Sequence, residues 1–227
     1  MCGRMVLYTP IKDLREFFAI ENEVADFCPG YNVCPSQPIL AVRAAEKGTR
    51  EGVLLKWGLI PSWAKDETIG NKLANARSET VAEKPSFRTA FKKRRCLIPA
   101  DGFYEWRTEG GKKRPYFIRF RDQHPFAIAG LYEGWRKPGT AEEIQTVTLL
   151  TTGPNELMAP IHNRMPVILA PKDFERWLDP ALTAAGAVQD LLAPCPPEGM
   201  EAIPVRPLVN NPRNQGPDLI EPDLPAV

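Results

Sequence analysis

The chain has 227 residues, of which 43% are hydrophobic and 25% charged, with a formal net charge of +1. This balance argues for a soluble globular protein with a genuine core, of one large domain or two small ones. No run of about 18 apolar residues occurs and the N-terminus lacks a basic-then-apolar leader pattern, so neither a membrane span nor a signal peptide is expected.

In chain order, Thr9-Pro10 opens a first helix with Leu14, Phe17 and Phe18 on its inner face. Apolar runs rich in Val, Ile, Leu and Phe and bounded by Pro or Gly predict strands at 38–44, 52–57, 95–100, 115–120, 125–131, 144–152, 165–170 and 200–205. Further helices are expected at 71–82, 85–94, 171–178 and 180–192, the second entered through Pro85 and ending in Lys92-Lys93-Arg94-Arg95. Many of the 24 prolines fall in the last third, which predicts irregular connections and a Pro-rich, extended tail over 207–227. Strands outnumber helices and do not alternate with them. The expected class is α+β: a single domain over 1–227, with a mixed or antiparallel sheet curling toward a barrel and short helices beside it.

Charge is unevenly placed. Residues 41–121 hold 19 Lys/Arg against 9 Asp/Glu, a net of +10, while the remainder carries −9. A middle this basic suits an anionic partner, nucleic acid first, although a solvated basic face is the bland alternative. The five cysteines include no C-x-x-C pair, and the only histidines are His124 and His162. Neither a metal site nor any cofactor is expected, and in a reducing compartment the cysteines should be free thiols.

Position 2 carries the distinctive chemistry. If Met1 is removed, Cys2 bears an α-amine and a thiol on adjacent carbons, a pair no internal residue offers. The amine titrates near ~7.7–8.0 and the thiol near ~8.5, so a nucleophilic fraction of the amine exists at neutral pH. With an aldehyde the amine forms a Schiff base that the thiol can close; with an amide or ester the thiol attacks first. Four internal segments bear on the choice. In Trp57-Gly58-Leu59-Ile60-Pro61-Ser62-Trp63 the tryptophans can offer a stacking face for bases, although Trp57 reads better as core. In Asn75-Ala76-Arg77-Ser78-Glu79-Thr80, Asn75 can orient an amine or bind an oxygen and Arg77 can clamp a phosphate, while Ser78 and Glu79 read equally well as local caps. Glu105 stands among aromatics in Phe103-Tyr104-Glu105-Trp106; it is either a carboxyl with a raised pKa suited to proton transfer or an edge glutamate facing water. In Pro160-Ile161-His162-Asn163-Arg164-Met165-Pro166, His162 can shuttle a proton and Arg164 can bind phosphate.

Met-Cys-Gly-Arg, W-G-L-I-P-S-W, N-A-R-S-E-T, G-F-Y-E-W and H-N-R-M-P, in this order, resemble the SRAP (SOS-response-associated peptidase) family over residues 1 to about 206. The resemblance implies binding of single-stranded DNA and a covalent thiazolidine link to the ring-opened aldehyde of an abasic site, which shields the lesion. It also implies weak lyase activity and self-removal of the residue before Cys2. By position it implies that Cys2 is the crosslinking residue, Asn75 the group that positions its amine, and Glu105 the acid–base group. It assigns His162 to the sugar oxygen and to reversal of the link, and Arg4, Arg77 and Arg164 to phosphate contacts. Trp106 becomes a wall of the DNA channel and Trp63 an aromatic contact near displaced bases. A cytoplasmic monomer is expected, nucleoid-associated if bacterial. The rivals are a glutamine amidotransferase with an N-terminal cysteine, although the chain has no Asn-Gly or Gly-Asp dipeptide; a non-covalent single-strand binding module; and a protease acting on other chains.

Overall fold

The structure, a computed structural model, describes residues 2–45 and 48–223. Its centre is a closed ring of five strands. Strand β3 (Pro38–Ala44) pairs antiparallel with β4 (Arg50–Trp57) and with β6 (Arg95–Ala100). β6 pairs antiparallel with β9 (Phe126–Arg136), and β9 with β10 (Glu143–Thr152). β10 then runs parallel to β4 through Thr146 and Val147 and closes the barrel. The next residues of the same β10 edge, Leu149 to Thr151, take β5 (Asn75–Arg77), also in parallel. Between these two partners the chain makes an excursion over 58–74. Its ends are stapled by Gly58 N to Val147 O (2.8 Å), Leu149 N to Ala74 O (3.1 Å) and Leu59 N to Leu73 O (3.2 Å). The two-residue strands β11 (Met165–Pro166) and β12 (Ile168–Leu169) extend β10 and β9.

A second, wholly antiparallel sheet contains β1 (Met5–Leu7), β2 (Gly30–Val33), β7 (Gly102–Glu109), β8 (Lys112–Phe120) and β13 (Met200–Pro204), in the order β13-β8-β7-β1-β2. The chain passes from the barrel to this sheet at Asp101, between β6 and β7. The buried carboxylate of Asp101 accepts from Tyr8 N (2.6 Å), Thr9 N (2.8 Å) and Thr9 Oγ1 (2.5 Å), while its own N–H donates to Val6 O (2.8 Å).

Strand alternation sorts the core. Ile39, Ala41, Leu55, Trp57, Cys96, Ile98, Ile128, Val147 and Leu149 form one cluster, which also includes Cys2 and Phe103. Their neighbours Leu40, Val42, Leu97, Ala127, Ala129 and Leu131 form another, against α1 (Ile11–Phe18), α2 (Arg88–Lys93) and α3 (Phe174–Leu178). Helices cannot fit within a five-stranded barrel, so the first cluster is its interior and the second its helix-covered exterior. No described helix is long and apolar enough to cross a membrane.

The α+β class and the closed, mixed sheet agree with the sequence reading, but several elements differ. The helix expected at 71–82 is a 3-10 turn at 67–72, the strand β5 and turns, because the edge of β10 takes the backbone of Asn75–Arg77. The helix expected at 180–192 is turns with two 3-10 pieces, at 185–187 and 189–192. Just before it, the Arg95 guanidinium captures the carbonyls of Trp177, Asp179 and Leu182, which a continuing helix would need for itself. Phe17 is not on the inner face; it is 37% exposed, whereas Leu14 and Phe18 are buried.

The C-terminal segment is docked rather than extended. It forms 3-10 turns at 207–210 and 217–219, buries Val209 and Leu219, and bridges Val205 to Pro222. The remainder of the expected tail, 224–227, lies outside the described residues. Leu219→Ala should therefore cost about 2–5 kcal/mol in urea unfolding, as core truncations do. A loose tail would give a change within about 0.5 kcal/mol.

Candidate functional site

β1 brings the N-terminal residues against β7: Met5 lies opposite Phe103, and Tyr104 N donates to Arg4 O (3.1 Å). Cys2 is thereby completely buried at the barrel interior. Asn75, the first residue of β5, donates Nδ2 to the Cys2 carbonyl at 2.8 Å. The parallel pairing of β5 with β10 thus delivers an amide to the backbone of residue 2. The expected loss of Met1 lies outside the described residues.

Glu105 shares its strand face with Phe103, directed toward Cys2 and the barrel interior, and it is buried. Burial raises its carboxyl above the ordinary range, partly offset by nearby positive charge, including His162. Its Oε1 lies 3.9 Å from His162 Nδ1. His162 ends a turn that starts at Asn155: Asn155 Oδ1 accepts from Met158 N (3.0 Å), and His162 N donates to Met158 O (2.9 Å). The Asn155 side chain is fixed in turn by donating to Cys195 O at 3.0 Å. His162 Nδ1 lies 3.0 Å from Arg164 N and 3.2 Å from Arg164 O, so the backbone of Arg164 holds the ring in place. Burial pushes the Cys2 thiol well above its ordinary value, and the nearby Glu105 carboxylate adds to that. All five cysteines are free.

Around this centre the cationic and aromatic candidates divide. Arg164 forks onto Glu79, with Nη2 to Oε2 at 3.0 Å, and also donates to Thr151 O (2.5 Å). The Arg164 guanidinium holds the Glu79 carboxyl below the usual range. Arg77 is exposed at the end of β5. Trp106 and Tyr104 lie on the opposite face of β7 from Glu105, in a cluster with Val205 and Val209. Arg4 lies 5.7 Å over the Trp106 ring. Trp63 is 57% exposed on the 58–74 excursion, its indole N–H reaching Pro85 O at 3.4 Å; none of its described hydrogen bonds or ring contacts involves the other candidates. Trp57, by contrast, is core, donating to Ala74 O at 2.8 Å.

The structure therefore gathers Cys2, Asn75, Glu105, His162 and Arg164 around residue 2, and sets Trp106 on the reverse face of β7 from Glu105, with Arg4 over its ring. Sequence reasoning missed Asn32, Asn155 and the loop at 207–215. The one available signal was a polar residue within the otherwise apolar stretch Tyr31-Asn32-Val33, together with the amide-rich Asn210-Asn211-Pro212-Arg213-Asn214-Gln215. Among the described residues no group of three His, Cys, Asp or Glu side chains could hold a metal ion.

The family model described as SOS response associated peptidase (SRAP) matches residues 1–212. The chain is 47% identical to the abasic site processing protein YoqW of Bacillus subtilis over 97% of its own length and 99% of that protein. It is 34% identical to the abasic site processing protein HMCES of Gallus gallus, over 86% of this chain and 66% of that one. A crystal structure of a protein from Bacteroides thetaiotaomicron superposes with a TM-score of 0.89 at 30% identity, covering 98% of this chain and 100% of that one. With its N-terminal residues seated in this way and its sequence matched nearly end to end, the chain belongs to the SRAP family.

Proposed function

We propose that this protein processes abasic sites in single-stranded DNA by forming a covalent thiazolidine through Cys2. The observation that carries the reading is the convergence on residue 2 of three groups from separate parts of the chain: the Asn75 amide on its carbonyl, and the Glu105 carboxyl with His162 beside it. The abasic site processing relatives support the substrate class.

In this mechanism Met1 is first removed, the one peptidase step of the cycle. Glu105, whose burial favours the protonated form, donates its proton to the ring oxygen of the closed sugar; as the C1′–O4′ bond breaks, the C1′ hydroxyl returns its proton to the Glu105 carboxylate and the C1′ aldehyde is released, with His162 beside Glu105 as a second proton carrier. Asn75, by holding the Cys2 carbonyl, aims the α-amine at that aldehyde. The amine nitrogen bonds to C1′, and its two protons pass in turn through Glu105 to the former aldehyde oxygen, which leaves as water as the C1′–O bond breaks and the imine forms. The thiol sulfur then adds to the imine carbon, its proton passes to the nitrogen, and the five-membered ring closes. Elimination of the 3′ phosphate from the imine is the competing path and gives weak lyase activity. Arg4, Arg77 and Arg164 are assigned to backbone phosphates, Trp106 to a wall of the groove and Trp63 to bases beyond the lesion, which leaves the recognition largely independent of sequence. The raised thiol disfavours the amidotransferase alternative, which needs a thiolate as its first nucleophile.

An oligonucleotide with one abasic site should give a species of protein plus DNA mass that survives denaturing electrophoresis. Cys2→Ala should abolish it, and a wild-type protein that gives no such band refutes the proposal. Glu105→Gln should slow adduct formation by about 10²–10⁴-fold, the usual worth of a general acid–base group. Because the Glu105 pKa is raised and its acid form acts first, the wild-type rate should fall as pH rises through that pKa. The variant should lose this descending limb and keep the ascending limb of the amine near ~7.7–8.0. The same shift has a thermodynamic sign. A carboxyl whose folded pKa is raised contributes stability below its unfolded pKa of ~4.3 and loses it as pH rises through the folded value. Glu105→Gln should accordingly raise the melting temperature at neutral pH, with the gain vanishing toward pH 4; no gain at neutral pH contradicts the raised carboxyl.

A further inference from the structure

Arg4 and Trp106, both assigned to DNA, are held by a segment with no role in the chemistry. Arg4 Nη1 donates to Asn32 Oδ1 at 2.7 Å and to the Val209 carbonyl at 2.6 Å. Asn32, fully buried in β2, turns its amide nitrogen to the same segment and donates to Asn211 O (3.0 Å) and Asn214 O (3.1 Å). Gln215 closes the circuit, with Nε2 donating to Asn32 O at 3.2 Å and Oε1 accepting from Tyr31 N at 3.0 Å. One residue further out, the Trp106 indole donates to Asn210 Oδ1 at 2.7 Å, and the Arg4 guanidinium covers the Trp106 ring.

An amide is the neutral side chain that can accept from a guanidinium and donate to two carbonyls at once. We propose that Asn32 and the loop at 207–215 form a positioning device for the DNA groove, with Asn32 the residue that couples the loop to Arg4; this rests on the assignment of Arg4 and Trp106 to DNA. Among the described residues, the side-chain hydrogen bonds of Arg4 all run through Nη1, so Nε and Nη2 are the donors left for a phosphate. A guanidinium already pinned loses less rotamer freedom on meeting that phosphate, a saving of about two- to tenfold in affinity per immobilised side chain. The partner is the sugar–phosphate backbone of single-stranded DNA.

The test is a fluorescence-anisotropy titration of an undamaged single-stranded oligonucleotide at several salt concentrations, with melting temperatures alongside. Asn32→Ala should weaken binding about three- to tenfold. It should also flatten the dependence of log K on log salt by up to about 0.7, the value of one single-strand phosphate contact, because the Arg4 guanidinium released from Asn32 holds its phosphate for only part of the time. A purely structural loss would not move that slope. Asn210→Ala, at an exposed position, should weaken binding about threefold at an unchanged slope, since it releases the indole and no phosphate ligand. A lower melting temperature with wild-type affinity and slope in Asn32→Ala overturns the inference. If that variant does not fold, wild-type affinity in Asn210→Ala overturns it instead. Wild-type protein that fails to bind the oligonucleotide overturns the DNA assignment, and the inference with it.

Discussion

The arrangement depends on one buried carboxylate. Asp101 sits where the chain leaves the barrel for the second sheet, and it receives two backbone N–H groups and a hydroxyl from Tyr8 and Thr9. Burial works against its ionisation while these donors favour it. Removing the carboxylate would leave the two buried donors of Thr9 without an acceptor, each at a cost of about 1–3 kcal/mol, and would free the part-buried Tyr8 N–H as well. The consequence is positional. The corner anchors the end of β1 to the start of β7, and β1 is what lays the N-terminal residues beside Phe103 and Glu105. The first residues of a domain are normally among its most mobile. Here they are fastened a few positions downstream by a group whose bonding is complete within the fold.

Legibility in the sequence followed how far each element's signal was its own. Strands β3 and β6, apolar runs with clear punctuation, lie at the expected limits 38–44 and 95–100. The three residues of β5, Asn-Ala-Arg, carry no strand periodicity; the partner edge of β10 decides their conformation. β7 carries no clear strand pattern, since Gly102 and Glu105 interrupt its apolar run. At Gly102 a Cβ would lie 2.2 Å from the Phe117 ring, and Glu105 is a buried carboxyl on the face that Phe103 turns to the core. The site's polar residues were legible as motifs, whereas the network linking Asn32 to Arg4 and the C-terminal loop spans more than 170 positions of separation, and no local pattern announces it.

The centre itself sits uneasily between folding and chemistry. A carboxyl and a thiol are both taken out of water beside one another, and each is driven toward its neutral form. A neutral thiol makes a poor opening nucleophile, and a neutral carboxyl is a proton donor at a pH where an exposed glutamate is not. Both effects come from the low-dielectric surroundings of residue 2 rather than from any single hydrogen bond.

The excursion over 58–74 has a different implication. Its two ends are bonded to each other and to Val147 and Leu149 of β10, and its buried part is fixed to the barrel by Ile60 N donating to Thr146 Oγ1 (2.9 Å) and the Trp135 indole donating to Ala64 O (2.7 Å), which leaves 65–68 as an exposed stretch. Lengthening a closed loop costs only about 0.6 kcal/mol per doubling. The exposed stretch 65–68 can therefore change in length at little cost to the barrel or to the burial of Cys2.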